Sequence, residues 1–443
     1  MTTELERRGF LKAAGLGLAA TLLPWPALAA TPLRQGRAIK GRKLNIACVG
    51  CGGKGRSDIE ALSGENIVAL CDVDFGQASG AFKDHRRAKR YKDYRVMLRE
   101  MDQQIDAVTV STPDHMHFPV AMMAVQMGKH VFVQKPMAHT IAEARALRVA
   151  ARQHNVVTQM GIQGHCNEAV RLLKEWLDAG AVGPVREVHY WTDRPIWPQG
   201  IRTPDEAQPV PANLDWNLWL GVARERPYNS AYMPFKWRGW WDFGCGALGD
   251  IGCHMFDAGF AALELGYPTS VEAVSEAGTE DCAPTWSILT YQFPARPGGR
   301  PPVKVVWHDG GKQPPRPSQL DEGRELPKDN GQLFLGDKGA ILVNDMYCSS
   351  LRIVPEARMK EFTRPPKTLP RSPGLYVEWL DACKGQGPAP GANVDYAGPL
   401  TEMVLLGNLA VRTGQRVEWD AENMLCTNLP AANRYVRKPY RVF

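Results

Sequence analysis

Three groups of residues in this 443-residue chain have types and spacings suited to chemistry. The first is a glycine loop. Gly50, Gly52 and Gly55 fall at G-x-G-x-x-G spacing, with Gly53 and Lys54 inside the loop. Glycines so placed allow a tight turn, let a backbone approach a pyrophosphate, and let a helix pack closely on a strand. A helix opening behind such a loop turns its free N–H groups toward the anion. The apolar run Leu44, Ile46, Cys48 and Val49 precedes the loop, and a second run ends in Asp72, 22 residues after Gly50. A carboxylate there accepts hydrogen bonds from ribose hydroxyls and repels a 2′-phosphate, so NAD is favoured over NADP. A glycine-rich turn alone is a weak signal. Strand, loop, helix, strand and acid in that order make a nucleotide site the expected reading.

The second group is Asp250 and His254, in "GCGALGDIGCHMFD". At i and i+4 they share one face of a helix. Acid–base work suits such a pair, because an imidazole titrates near neutral pH. Half of a metal site and a structural pair on a buried helix are the competing readings. No H-E-x-x-H motif supplies further ligands, so no metal is expected. The third group is aromatic: Trp197, Trp216, Trp219, Trp237, Trp240 and Trp241, with Tyr228 and Tyr232, all between residues 193 and 257. Aromatic faces suit the C–H faces of a sugar, and the interspersed Arg, Asp and Asn suit its hydroxyls. Plain packing accounts for any one of these rings; the cluster favours a polar organic ligand.

The elements that must position these groups follow from periodicity. Helices are expected over 58–63, 77–87, 94–100, 118–127 and 141–154, and strands over 67–71, 107–111, 131–133 and 156–160. Near-continuous apolar runs such as "AVTV" and "HVFV" fit parallel strands buried on both faces. Right-handed crossovers then give a doubly wound sheet, whose ligands sit beyond the carboxyl ends of the strands. The residues just after each strand therefore matter: "STPDHMH" (111–117), "QKP" (134–136) and "GIQGH" (161–165). From Cys166 onward the pattern changes. "VREVHYW", "TWSILTYQF", "VKVVWH", "QLFLG", "AILV" and "LRIV" read as short strands of a mostly antiparallel sheet. Residues 294–302 and 312–331 read as surface loops, and a helix over 396–413 closes the chain.

The first thirty residues are not fold. Arg7 and Arg8 precede an apolar run that ends Ala27-x-Ala29, which reads as a Tat export signal rather than a membrane anchor. Removing it takes away three basic and two acidic residues, which lowers the net charge from +6 to +5. So mild a charge gives no reason to expect nucleic acid, and no membrane association is expected after cleavage. Cys48, Cys51 and Cys71 lie in or beside the nucleotide strands, where small buried thiols are expected; no disulfide framework is. The expected division is signal 1–30, linker 31–43, nucleotide domain 44–164 and second domain 165–443.

Taken together, the glycine loop with Asp72, "TPDHMH", "QKP" and "GALGDIGCH" resemble the Gfo/Idh/MocA oxidoreductases. "WRGWWDFG", "DYAGPLTE" and "ANRYVRKPYR" are similar to a bacterial, often exported branch, and the likeness covers nearly all of residues 44–443. It implies an N-terminal Rossmann domain plus a C-terminal α/β domain with a large open sheet that often mediates homo-oligomerisation. It implies that Lys135 matches the lysine of an E-K-P motif and that Asp250 and His254 match a D-x-x-x-H pair. Thr112, Asp114, His117 and Gln163 then belong to the cofactor site, with Gln134 where the family more often has Glu. Hydride transfer with bound NAD from a sugar, polyol or glycoside hydroxyl is the implied activity. His254 is the expected base, Asp250 either holds the substrate or orients the imidazole, and Lys135 is the cation beside the alkoxide. If His254 is not the base, Lys135 or Tyr232 is next. Two alternatives stay open: a glycoside hydrolase that recycles NAD, and a non-catalytic sugar sensor.

Overall fold

The computed structural model describes residues 33–276 and 279–443. The expected export signal and the first residues of the linker lie outside them. Five strands and their crossovers build the nucleotide layer: β1 (Asn45–Val49), α1 (Gly53–Ala61), β2 (Asn66–Cys71), α2 (Ser79–Asp84), β3 (Lys89–Tyr91), α3 (Tyr94–Glu100), β4 (Ala107–Val110), α4 (His117–Gln126) and β5 (His130–Val133). After α5 (Ile141–Gln153), β6 (Thr158–Met160) completes a six-stranded sheet in the order 3-2-1-4-5-6. Every pairing in it is parallel. β1, β4 and β5 are mostly apolar and buried along nearly their whole length because helices cover both faces. The order reverses between β1 and β4, which opens a crevice at their carboxyl ends.

The second sheet follows α6 (Glu168–Asp178). It contains β7 (Val185–Thr192) and, after α7 (Trp216–Leu220) and α8 (Gly246–Leu263), β8 (Ser270–Ser275), β9 (Ser287–Phe293), β10 (Val303–His308), β11 (Asn330–Gly336), β12 (Gly339–Val343) and β13 (Arg352–Val354). Beyond α9 (Glu356–Glu361), α10 (Leu375–Lys384) and α11 (Val394–Thr413), β14 (Val417–Asp420) and β15 (Leu425–Cys426) extend it to nine strands, ordered 13-12-11-7-10-9-8-14-15. All neighbours are antiparallel except β7 and β10. α8 and α11 pack together against one face of this sheet, with Tyr190, Phe256, Tyr291 and Trp307 at the centre of the core.

The chain does not divide cleanly at residue 164. α10 returns to the nucleotide sheet, where Trp379, Leu375 and Cys383 share a buried cluster with Ile46, Leu70 and Phe132. Phe132 stacks on Tyr376 at 5.1 Å. One helix of the sheet's outer layer thus comes from more than two hundred residues downstream.

Candidate active site

The glycine loop is shaped as its spacing predicts. Gly50 has φ of +82°, and a Cβ there would stand 2.5 Å from the Ser111 carbonyl oxygen. At Gly55 a Cβ would meet the Gly50 carbonyl oxygen at 2.0 Å, so this residue holds α1 against the loop. Above them opens a cleft of about 440 Å³ between the two sheets. Gly50, Gly52, Gly53 and Lys54 line it, followed by Asp72, Thr112, Asp114 and His117, and then Gln134, Lys135 and Asp250. Gly55 lies beneath the floor. Gln163 and His254 are not on its wall.

Asp72 accepts backbone N–H bonds from Cys51 at 2.7 Å and Asp74 at 2.9 Å. Burial pushes its carboxyl up to about 6, against those N–H groups. Lys92, Tyr94 and Phe443 line the same cleft. Cys48 and Cys51 stand at C-x-x-C spacing but are free and buried. Burial raises the Cys48 thiol to about 12 and the Cys51 thiol well above its usual value, so neither is a reactive pair.

Beneath the loop, Asp58 is fully buried and saturated with donors. Ser111 Oγ donates at 2.7 Å, Tyr376 Oη at 2.6 Å, and Gln134 Nε2 to both oxygens at 2.9 and 3.1 Å. Lys54 donates to Asp58 and to Tyr376 Oη. Lys54, expected at the cofactor, lines the cleft and at the same time joins this protein network. The carboxylate also fixes the Gln134 amide: its NH₂ end faces Asp58, and Oε1 is left as an acceptor. A Glu here would set two carboxylates against each other, which gives Gln134 a physical reason. Gly161 makes the room, since a Cβ there would stand 2.6 Å from both amide atoms.

The opposite wall carries a second charged network. Lys135 Nζ donates to Asp250 Oδ1 at 2.9 Å and to the Asp250 carbonyl at 2.7 Å. Arg238 Nε donates to the same Oδ1 at 2.9 Å. Burial alone would raise the Asp250 carboxyl, but Lys135 and Arg238 overcome it and hold it well below the carboxylate range. Asp114 is different. Burial drives it up to about 7, even with Lys135 nearby, because Asp250 adds a like charge. Its Oδ2 accepts from the Cys245 backbone N–H at 3.1 Å.

His254 departs from expectation. It is buried against Tyr347, its Nδ1 has no partner among the described residues, and burial together with Lys135 lowers it to about 3. Burial thus favours its neutral form, against the near-neutral titration its spacing suggested. Helix position was legible, but the absence of a carboxylate behind the ring was not. His117 also serves structure, facing the Thr112 and Pro136 carbonyls at 2.8 and 2.7 Å. Tyr232 is in the core against Trp240 and Phe243. The aromatic cluster splits: Trp219 and Trp237 line the cleft with Phe235, Trp241 lines another cavity, and Trp240 is packing.

Arg238, Asp58 and Tyr376 were missed. Asp58 at i+4 from Lys54 was a usable signal; Arg238 lay inside the "WRGWWDFG" motif; nothing local marks Tyr376. Among the described residues no group of three or more His, Cys, Asp or Glu is placed to hold a metal. For NAD the fit is good: a loop with no room for a Cβ at Gly50 or Gly55, a buried acid at the end of β2, and, on the cleft wall, buried Thr112 Oγ1 without a partner among the described residues.

Comparison with known proteins agrees. Residues 44–162 match the NAD-binding Rossmann fold of the Gfo/Idh/MocA oxidoreductase family, and residues 188–297 match the family's C-terminal α/β domain. The chain is 27% identical to levoglucosan dehydrogenase of Pseudarthrobacter phenanthrenivorans over 224 residues, 50% of this chain and 45% of that protein. It is 32% identical over 146 residues to inositol 2-dehydrogenase/D-chiro-inositol 3-dehydrogenase of Lacticaseibacillus casei, 32% of this chain and 42% of that one. The chain thus spans less than half the length of each of these relatives. The WlbA dehydrogenase of Bordetella pertussis, solved with NADH and UDP-GlcNAcA, shares the fold: TM-score 0.60, 18% identity, 86% of this chain and 99% of that one.

Proposed function

The chain belongs to the Gfo/Idh/MocA oxidoreductase family, and on that premise we propose that it is an NAD-dependent carbohydrate oxidoreductase. Its substrate is a hydroxyl carbon of a sugar, polyol or glycoside. The observation that carries this is the Lys135–Asp250–Arg238 network, set in one cleft with the glycine loop and with Trp219 and Trp237. Bound nicotinamide supplies the two-electron acceptor. The glycine loop and the N-terminus of α1 hold the pyrophosphate, Asp72 the adenosine ribose, and Gln134 Oε1 a hydroxyl on the nicotinamide side. Thr112 Oγ1, which lines the cleft without a partner among the described residues, offers a further group.

Lys135 has three N–H groups and gives two to Asp250. The third faces the substrate oxygen and stabilises negative charge as the O–H proton leaves. Asp114, poised near 7, receives that proton in the same wall. Asp250 keeps the lysine charged and aimed, and neutral His254 backs the wall. The dehydrogenase names of the two relatives support a polyhydroxylated substrate.

We further propose export by the Tat pathway to the periplasm, from Arg7-Arg8 and the alanine site, with NAD tightly held through the passage. Assembly into a homo-oligomer is proposed from the breadth of the nine-stranded sheet. The testing experiment denatures purified protein and assays released NAD(H) by mass spectrometry. A sugar screen then follows cofactor absorbance and leaving-group release together. Absorbance change with a sugar supports the dehydrogenase. Leaving-group release without net reduction would mean redox-neutral glycoside cleavage instead, and no nucleotide at all would overturn the reading.

A further inference from the structure

A second cavity of about 440 Å³, lined by residues other than those of the cofactor cleft, lies beyond the Cys245 turn. Its wall includes the "ANRYVRKPYR" stretch, which the proposed reaction does not use. Arg224, Arg412, Arg434, Arg437 and Lys438 bring five cations to it, against the carboxylates Asp242, Glu280 and Asp281. Asp242 is already taken by Arg226, which is not part of the wall. Lys438 is held by His139 Nδ1 at 2.8 Å and Glu143 at 3.3 Å.

The cations that matter are Arg412 and Arg434. Arg412 stacks 4.0 Å from the centre of the Tyr435 ring and 5.3 Å from that of Trp241. Arg434 lies 4.6 Å from the same Tyr435 ring and donates to its hydroxyl at 2.5 Å. Neither forms an ion pair with a carboxylate among the described residues. Two like charges therefore share one aromatic ring and repel each other, with Asp242 near enough to act on Arg412 but in no direct ion pair with it. Both guanidinium groups line the cavity beside the Tyr435 ring, which restricts their freedom. Planar forks held this way match the two oxygens of a carboxylate or phosphate. The volume is in the range of small-molecule sites. We propose that this cavity is a second ligand site, which binds a small metabolite through a phosphate or carboxylate group between Arg412 and Arg434.

Isothermal titration of the purified full chain with saturating NAD tests this, because NAD blocks anion binding at the glycine loop. Inorganic phosphate and D-glucuronate are the probes, with D-glucose as the neutral control. At least one anion should bind saturably, and which one identifies the oxyanion class. Arg412→Gln and Arg434→Gln should each weaken it about tenfold or more, as expected for a charge-assisted contact, with NAD affinity unchanged. Arg434 is exposed, so Arg434→Gln keeps the test open if Arg412→Gln does not fold. No anion binding, or binding that both variants leave intact, overturns the proposal.

Discussion

Two carboxylates in this protein each hold a lysine, and they differ in what else they hold. Asp58 is fully buried, and Ser111, Tyr376 and Gln134 join Lys54 in donating to it. Asp250 holds Lys135 and Arg238 at the lip of the cleft, and its lysine keeps a donor for something else. The first network ties α1, β4, β5 and α10 together and sets the Gln134 amide. The second keeps a cation charged where a substrate oxygen would stand. The same kind of ion pair is a lock when saturated and, in the proposed reaction, a catalytic tool when left one bond short.

Breaking the open network should have the largest effect. Asp250→Asn removes the charge that aims Lys135, so single-turnover cofactor reduction should fall about 10²–10³-fold, while NAD titration shifts by less than about threefold. A comparable loss of NAD affinity would mean that Asp250 serves binding instead. The closed network is tested by a charge swap. Gln134→Glu places a carboxylate against Asp58 and should weaken NAD about tenfold, within the range for hydrogen bonds to charged groups. Adding Asp58→Asn should restore most of it. Additive losses in the double variant would separate the two residues.

How legible each network was follows from its connectivity. The nucleotide cradle is local, so glycine spacing and an acid at the end of the next strand sufficed to place Gly50, Asp72 and the loops after β4 and β5. The α1 boundary was off because Gly53 and Gly55 interrupt the apolar period; the helix starts at Gly53, not near 58. β3, "KRY", is a short polar edge strand with no pattern to read. Asp250 was legible from a motif, but Arg238, twelve residues earlier, meets it only through a loop. Tyr376 is more than three hundred residues from Asp58. His254 shows the limit of spacing: i, i+4 puts it on the face of Asp250, but burial decides its charge.

Smaller effects sharpen the contrast. Asp72, raised to about 6 by burial, should make NAD affinity weaken as pH falls through about 6, because its protonated form loses an acceptor. The linkage to folding runs the other way. A carboxyl whose pKa is raised on folding contributes stability fully present below its unfolded pKa and lost as pH rises through about 6. Titrations of NAD and of denaturant across about pH 4 to 8, roughly two units on either side of that value, read both. Tyr376→Phe removes one of several donors to Asp58 and should cost about 1 kcal/mol of stability, seen in denaturant unfolding, with cofactor reduction unchanged.

The central claim is that the substrate proton is handled by the wall of Lys135 and Asp114 rather than by His254. Single-turnover cofactor reduction with the best sugar, followed across pH, tests it directly in the unmutated chain, Asp114→Asn and His254→Asn. The account predicts a rate that rises through a limb near the Asp114 value of about 7. That limb survives His254→Asn and vanishes in Asp114→Asn, with a rate loss of about 10²-fold or more. A limb that disappears with His254→Asn and persists in Asp114→Asn would contradict it.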